Sequence, residues 1–199
     1  MRSGQARIFV ALELSDPARA LAEEATLYLR LALRGRAGLR FTSSANLHVT
    51  LAFLGETPAA RLASVREVVT QVAAQHAPID VEVGGLGAFP RSDAAKVLWL
   101  GFGSGAPGLE SLVADLHERL RVAGHDLERR AWTGHVTLAR CRSRVGIDAR
   151  SALESGPKRR VVCRIEAIAL MESRLTVDGP SYTRNFRALL SGGTQRERV

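Results

Sequence analysis

Two histidines and two threonines in a repeated pentapeptide are the side chains of this 199-residue chain best suited to moving protons. His48-Val49-Thr50-Leu51-Ala52 recurs unchanged as His135-Val136-Thr137-Leu138-Ala139, 87 positions further on. Both copies are rich in β-formers and bounded by turn-like residues, so each predicts a strand. Side chains alternate faces along a strand. Val49, Leu51 and Phe53 are therefore expected in a core, with His48, Thr50 and Ala52 on the opposite face. The second copy sets Val136 and Leu138 against His135, Thr137 and Ala139 in the same way. Each strand then offers an imidazole and a hydroxyl about 7 Å apart at the backbone, with a small alanine beyond them leaving room.

Two such strands facing each other make a site with two imidazoles and two hydroxyls. Imidazole gives and takes protons near neutral pH. Two of them on opposite sides of a phosphate suit in-line displacement, one deprotonating the nucleophile and one protonating the leaving oxygen, each worth typically ~10²–10⁴-fold in rate. The threonine hydroxyls can donate to the non-bridging oxygens, where charge builds up. No metal is required. Zinc is the rival use of paired histidines, but it takes three or four ligands, and neither strand carries a Cys, Asp or Glu beside its histidine on that face.

The elements that must position these groups alternate irregularly. Arg7 to Leu14 reads as a first strand. Asp16 as cap and Pro17 at the first helical position open a helix that runs to Gly35. Residues 39–54 hold two short extended segments broken at 42–46. Thr57-Pro58 opens a second helix with Leu62, Val65, Val69 and Val72 on its apolar face. Strands are expected at 79–83 and 96–102, a third helix from Pro107 to Gly124, then the strand of His135. A basic polar stretch follows from Arg142 to Arg160. One long strand from Val161 to Glu172, a turn at Val177-Asp178-Gly179-Pro180 and a last strand from Tyr182 close the chain, with a frayed tail from Ser191. This is an α+β pattern, read as one domain over 1–199 with two lobes, roughly 1–95 and 96–199.

Composition bounds the function classes. The chain is 46% hydrophobic and carries a net charge of +8 from 28 basic and 20 acidic residues. The excess fits a polyanionic partner such as nucleic acid or a phosphorylated small molecule, or an arginine-rich solvated surface. No apolar run reaches the roughly 18–20 residues of a membrane span. The N-terminal apolar stretch is short and carries Glu13, so it is expected as a strand and not a signal peptide. Cytoplasmic residence is the default expectation. Cys141 and Cys163 lack metal or redox spacing and are expected as reduced thiols. Gly103 to Gly108 matches G-x-G-x-x-G, but no acidic residue ends a following parallel strand, so a glycine-rich connection is expected. His76, His117 and His125 are expected at the surface.

The chain resembles the two-histidine phosphoesterases, and specifically the RNA 2′,3′-cyclic phosphodiesterase family, once described as 2′-5′ RNA ligases. The paired His-x-Thr motif carries the resemblance. So do ARIFVALEL at the start, SSANLHVTLAFLGE around the first copy, GGLGAFP at 84–90, VLWLG at 97–101, HVTLAR and SRLTVDGPSYT. The resemblance implies a bilobal fold with pseudo-twofold symmetry, two antiparallel sheets lining a central cleft, and helices outside. It implies hydrolysis of a 2′,3′-cyclic phosphate to a 2′-phosphomonoester, with His48 as proton donor to the 3′-oxygen and His135 as proton acceptor from water. Thr50 and Thr137 match the phosphate-binding threonines, Arg140 a phosphate- or nucleotide-contacting arginine, and Phe9 a position lining the nucleobase side. The implied partner is RNA with a cyclic phosphate end; no cofactor, membrane or obligate protein partner is implied, and a monomer is expected. Gly134 stands where proline is common, and Phe41 where tryptophan is. The alternatives are a superfamily member acting on a small cyclic or 2′-5′-linked nucleotide, and a non-catalytic RNA-binding module.

Overall fold

A computed structural model describes residues 5–128, 130–177 and 179–192. Asp178 of the expected turn, and the expected frayed tail from residue 193 onward, lie outside them. Nine strands, β1 (Gln5–Glu13), β2 (Leu39–Phe41), β3 (His48–Pro58), β4 (Ile79–Phe89), β5 (Val97–Phe102), β6 (His135–Cys141), β7 (Arg160–Ile165), β8 (Ala167–Thr176) and β9 (Gly179–Leu189), alternate with four helices. The helices are α1 (Asp16–Ala32), α2 (Ala59–Gln75), α3 (Ala106–Val122) and α4 (Arg150–Glu154). Ser15, one residue before the expected cap, stands at the start of α1.

The strands run in the order β7-β4-β5-β6-β3-β1-β8-β9, with β2 added to β6. Every described pairing is antiparallel. Two halves, β7-β4-β5-β6 and β3-β1-β8-β9, meet where Val49 pairs with Val136, the one register pair described between β3 and β6. Those valines are the same residue of the two motif copies. In an antiparallel alignment, pairing like with like puts a local twofold axis between them. The symmetry reaches further: β1, α1 and β3 repeat as β5, α3 and β6, with both helices 17 residues long.

The halves are not residues 1–95 and 96–199. The strands β4 to β7 of one come from the uninterrupted segment 79–165, with only the short β2 added from outside it, and the other is built from the two flanks. The expected single strand over 161–172 is in fact two strands broken at Glu166: β7 forms one outer edge and β8 joins the other half. Apolar residues on both sides of Glu166 hide this break from a pattern reading. α1 packs on β4, β6 and β7, whereas α2 packs on β3, β8 and β9, and α3 on α2, β3 and β4. The core between sheet and helices holds Ile8, Val10 and Leu12 of β1, Leu21 and Leu29 of α1, and Leu112 and Leu116 of α3, all buried.

The glycine-rich stretch at 103–108 is a turn into α3, with Gly105 at φ +85° before the first helical residue. The strand before it has antiparallel neighbours on both sides, unlike a dinucleotide-binding unit. Among the described residues no helix is long and apolar enough to cross a membrane.

Candidate active site

The two motif strands share one irregularity. On β3, Val10 faces Ala52 and Ala11 faces Thr50, which leaves Leu51 as an extra residue. On β6, Leu98 faces Ala139 and Trp99 faces Thr137, which leaves Leu138 extra. Each motif therefore carries a β-bulge at its leucine, and a bulge resets the alternation. Burial follows the same sequence in both strands: half-buried His, buried Val, half-buried Thr, buried Leu, buried Ala, then an exposed residue. Ala52 and Ala139 thus belong to the core instead of leaving room on the histidine face, and Phe53, expected in the core, is 51% exposed. The bulge also returns Arg140 to the face of His135 and Thr137. A spacing of five would otherwise put it behind the sheet.

Groups outside the ladder hold the bulges. The carbonyl of Leu138 accepts from the Thr42 backbone N–H at 2.8 Å. The carbonyl of Leu51 accepts from His117 Nε2 at 2.7 Å, reaching over from α3. His117 is accordingly half-buried, not a surface residue. His125 is buried at 8% exposure and His76 sits half-buried against Asp115, so neither meets the surface expectation.

His48 and His135 are anchored alike. Nδ1 of His48 lies 2.7 Å from the Asn46 carbonyl, and Nδ1 of His135 lies 2.8 Å from the Thr133 carbonyl. A carbonyl can only accept, so both Nδ1 atoms carry hydrogen. In the neutral ring Nε2 then holds the lone pair. His48 Nε2 lies 3.0 Å from the Thr50 hydroxyl. Burial holds both histidines below the ordinary pKa of 6.5, opposed by these carbonyl bonds and assisted by the positive charge of Arg140. Arg130 adds to the effect at His135, and His135 itself at His48. Both shifts thus favour the neutral imidazoles, whose Nε2 atoms can accept a proton.

The structure brings His48, Thr50, His135, Thr137 and Arg140 to one face. Phe9 joins them, its ring centroid 4.9 Å from that of His48, though only 3% exposed. Tyr182 completes that side, 5.1 Å from His48 and 5.0 Å from Phe9. His135 has its own pair, Phe89 at 5.1 Å and Trp99 at 6.4 Å. Sequence reasoning assigned no role to Tyr182, Phe89 or Trp99, although each lies in a quoted flank. A signal was present in the glycines around Trp99: a Cβ on Gly87 would fall 2.2 Å from the indole, which lies flat on the bare backbone there. Trp132 was also missed; its indole N–H donates to the Thr50 carbonyl at 2.9 Å. Gly134 lets this happen, because a Cβ there would stand 2.6 Å from Phe102 and 2.8 Å from Trp132. Its place in the motif, where proline is common, is filled by ring packing. Among the described residues no cluster of three or more His, Cys, Asp or Glu is placed to hold a metal ion.

Paired His-x-Thr strands meeting across a local twofold in one antiparallel sheet are the architecture of the two-histidine phosphoesterases. The family model described as the 2′-5′ RNA ligase superfamily matches residues 12–176, and the chain belongs to that family. An RNA 2′,3′-cyclic phosphodiesterase of Aeropyrum pernix is 33% identical over 139 residues, covering 69% of this chain and 78% of the relative. One from Aquifex aeolicus is 29% identical, covering 89% and 93%. A solved structure from Thermus thermophilus superposes with a TM-score of 0.71 at 28% identity, covering 94% of this chain and 99% of that one. The fold is shared also with E. coli LigT complexed with 3′-AMP, TM-score 0.74 at 24% identity, over 94% and 99% of the chains.

Proposed function

We propose that the protein hydrolyses the 2′,3′-cyclic phosphate at the end of an RNA to a 2′-phosphomonoester, with no metal or other cofactor. The observation that carries the reading is the matched anchoring of His48 and His135, whose Nδ1 atoms are both committed to backbone carbonyls. Both Nε2 atoms are then the proton-exchanging nitrogens on the cleft face. The names of the curated relatives support the same reaction.

In this mechanism His135 Nε2 takes a proton from water as the water oxygen bonds to phosphorus. The bond from phosphorus to the 3′-oxygen breaks, and His48 Nε2–H gives that oxygen its proton. The product carries a 2′-phosphate and a 3′-hydroxyl; His48 ends neutral and His135 protonated, and solvent restores the starting state. Depressed pKa values keep His135 ready as a base. An arriving phosphate anion offsets Arg140 and lets His48 hold the proton it must deliver. Thr50 and Thr137 donate to the non-bridging oxygens and Arg140 pairs with them, a planar guanidinium suiting phosphate. Phe9 backs the nucleobase side. The reading includes a cytoplasmic monomer without an obligate protein partner; the free thiols of Cys141 and Cys163 suit a reducing compartment.

The test is incubation of oligonucleotides ending in 2′,3′-cyclic phosphate with the protein in EDTA, followed by product identification. A 2′-phosphate is expected. A 3′-phosphate would exchange the leaving group, turnover only with added zinc would overturn the metal-free mechanism, and binding without turnover would leave an RNA-binding module.

A further inference from the structure

We infer that Phe53, with Arg7, is the stacking site for the nucleobase one step upstream of the nucleotide that bears the cyclic phosphate. This rests on the hydrolysis proposed above and deepens it by assigning the residues that hold the RNA upstream of its reacting end.

Phe53 is the one aromatic ring among the large exposed hydrophobic residues described. The bulge at Leu51 gives the core places on β3 to Leu51 and Ala52 and turns Phe53 outward on the face of His48 and Thr50. The local twofold relates its position to that of Arg140, three residues past the motif threonine in each strand. At these equivalent positions the site face thus carries a guanidinium on β6 and a phenyl ring on β3. Phe53 is the register partner of Phe9, whose ring lies against His48, so the two aromatic positions lead outward from the reacting phosphate. Arg7, on the same side of β1, sets its guanidinium 5.6 Å from the Phe53 ring centroid.

A phenyl ring held in water forgoes the burial that favours such side chains. An exposed ring beside a basic group, in line with a phosphate site, is the combination by which single-stranded nucleic acid is held: the base stacks and the cation meets the backbone phosphate. An RNA end bearing a 2′,3′-cyclic phosphate continues only through its 5′ side, so a second base must leave the cleft along one wall. Phe53 supplies a flat apolar surface for it. Such stacking tolerates any base because every base has a π-face.

The experiment compares three substrates: a nucleoside 2′,3′-cyclic phosphate, a dinucleotide ending in that group, and the same dinucleotide with an abasic first position. Wild-type kcat/KM is expected to be about ten-fold higher for the dinucleotide than for the other two. Phe53→Ala removes that advantage and leaves the mononucleotide within about two-fold, and Phe53→Trp retains it, since stacking needs only a flat ring. A dinucleotide advantage that survives Phe53→Ala overturns the inference, as does an equal loss on all three substrates, which would mark the ring as structural. Wild-type turnover of none of the substrates would sink the proposed reaction itself, and this inference with it.

Discussion

His117 reaches from α3 to the Leu51 carbonyl at 2.7 Å and so props, from behind the sheet, the bulge that sets Thr50. Removing the donor leaves a buried carbonyl unpaired, at a cost of about 1–3 kcal/mol. His117→Ala is expected to lower thermal stability accordingly and to reduce kcat more than it raises KM. His117→Gln, whose amide N–H can reach the same oxygen, recovers most of kcat. Steady-state kinetics of the two variants decide the matter; a stability loss with unchanged kcat would make His117 a packing residue only.

Either imidazole alone is insufficient for the proposed mechanism. His48→Ala and His135→Ala should each lose about 10²–10⁴-fold in kcat, and the double variant little more than the worse single one, because the groups act as a unit. RNA affinity by fluorescence anisotropy stays within a few-fold. A single variant that remains fully active ends the two-imidazole account.

Arg140 lowers the pKa of both histidines through its positive charge. Taking that charge away favours the imidazolium and raises both values. The bell-shaped profile of kcat/KM against pH therefore moves toward alkali in Arg140→Gln, in addition to any drop in height. Kinetics across the range from about pH 5 to pH 8 measure the position; an unmoved profile would show that Arg140 does not sense the imidazoles.

Burial also lowers the pKa of His125, whose Nε2 has no hydrogen-bond partner among the described residues. The sign follows from linkage: unfolding lets the ring take up a proton that the folded state resists. Stability is full above the ordinary 6.5 and is lost as pH falls through the lower folded value. Melting curves at about pH 8 and about pH 5 should show a smaller acid-induced drop in Tm for His125→Leu than for wild type. An equal drop would place the acid sensitivity elsewhere.

Much of the site was legible because a repeat fixes residue identity and strand alternation fixes the first three positions of each copy. His48, Val49 and Thr50 fall where alternation puts them, as do His135, Val136 and Thr137. The pattern failed one residue later. A bulge leaves no mark in residue type, since Leu51 and Leu138 are ordinary strand residues. Its effect is to reverse every assignment beyond it, Phe53 included. The second half of β4 went unread because glycines at 84, 85 and 87 interrupt the apolar alternation. Gly87 makes room for the Trp99 indole, whereas Gly84 and Gly85 lie at the irregularity between Val83 and Leu86, close to Arg159 and Arg160. Strand order was illegible at Glu166, where one polar residue among apolar neighbours carries the chain to the far side of the molecule.

That crossing also orders events on the ribosome. Strands β4 to β7 around His135 come from one unbroken segment, complete once Ile165 has emerged, and β2, which adds to β6, precedes them. The half around His48 begins first yet must wait for β8 and β9, the last strands among the described residues, before Tyr182 can close against its ring. A chain emerging in this order has every strand around its proposed base available while its proposed acid still lacks two. Tyr182 reaches the proposed acid only once the β8–β9 hairpin is in place.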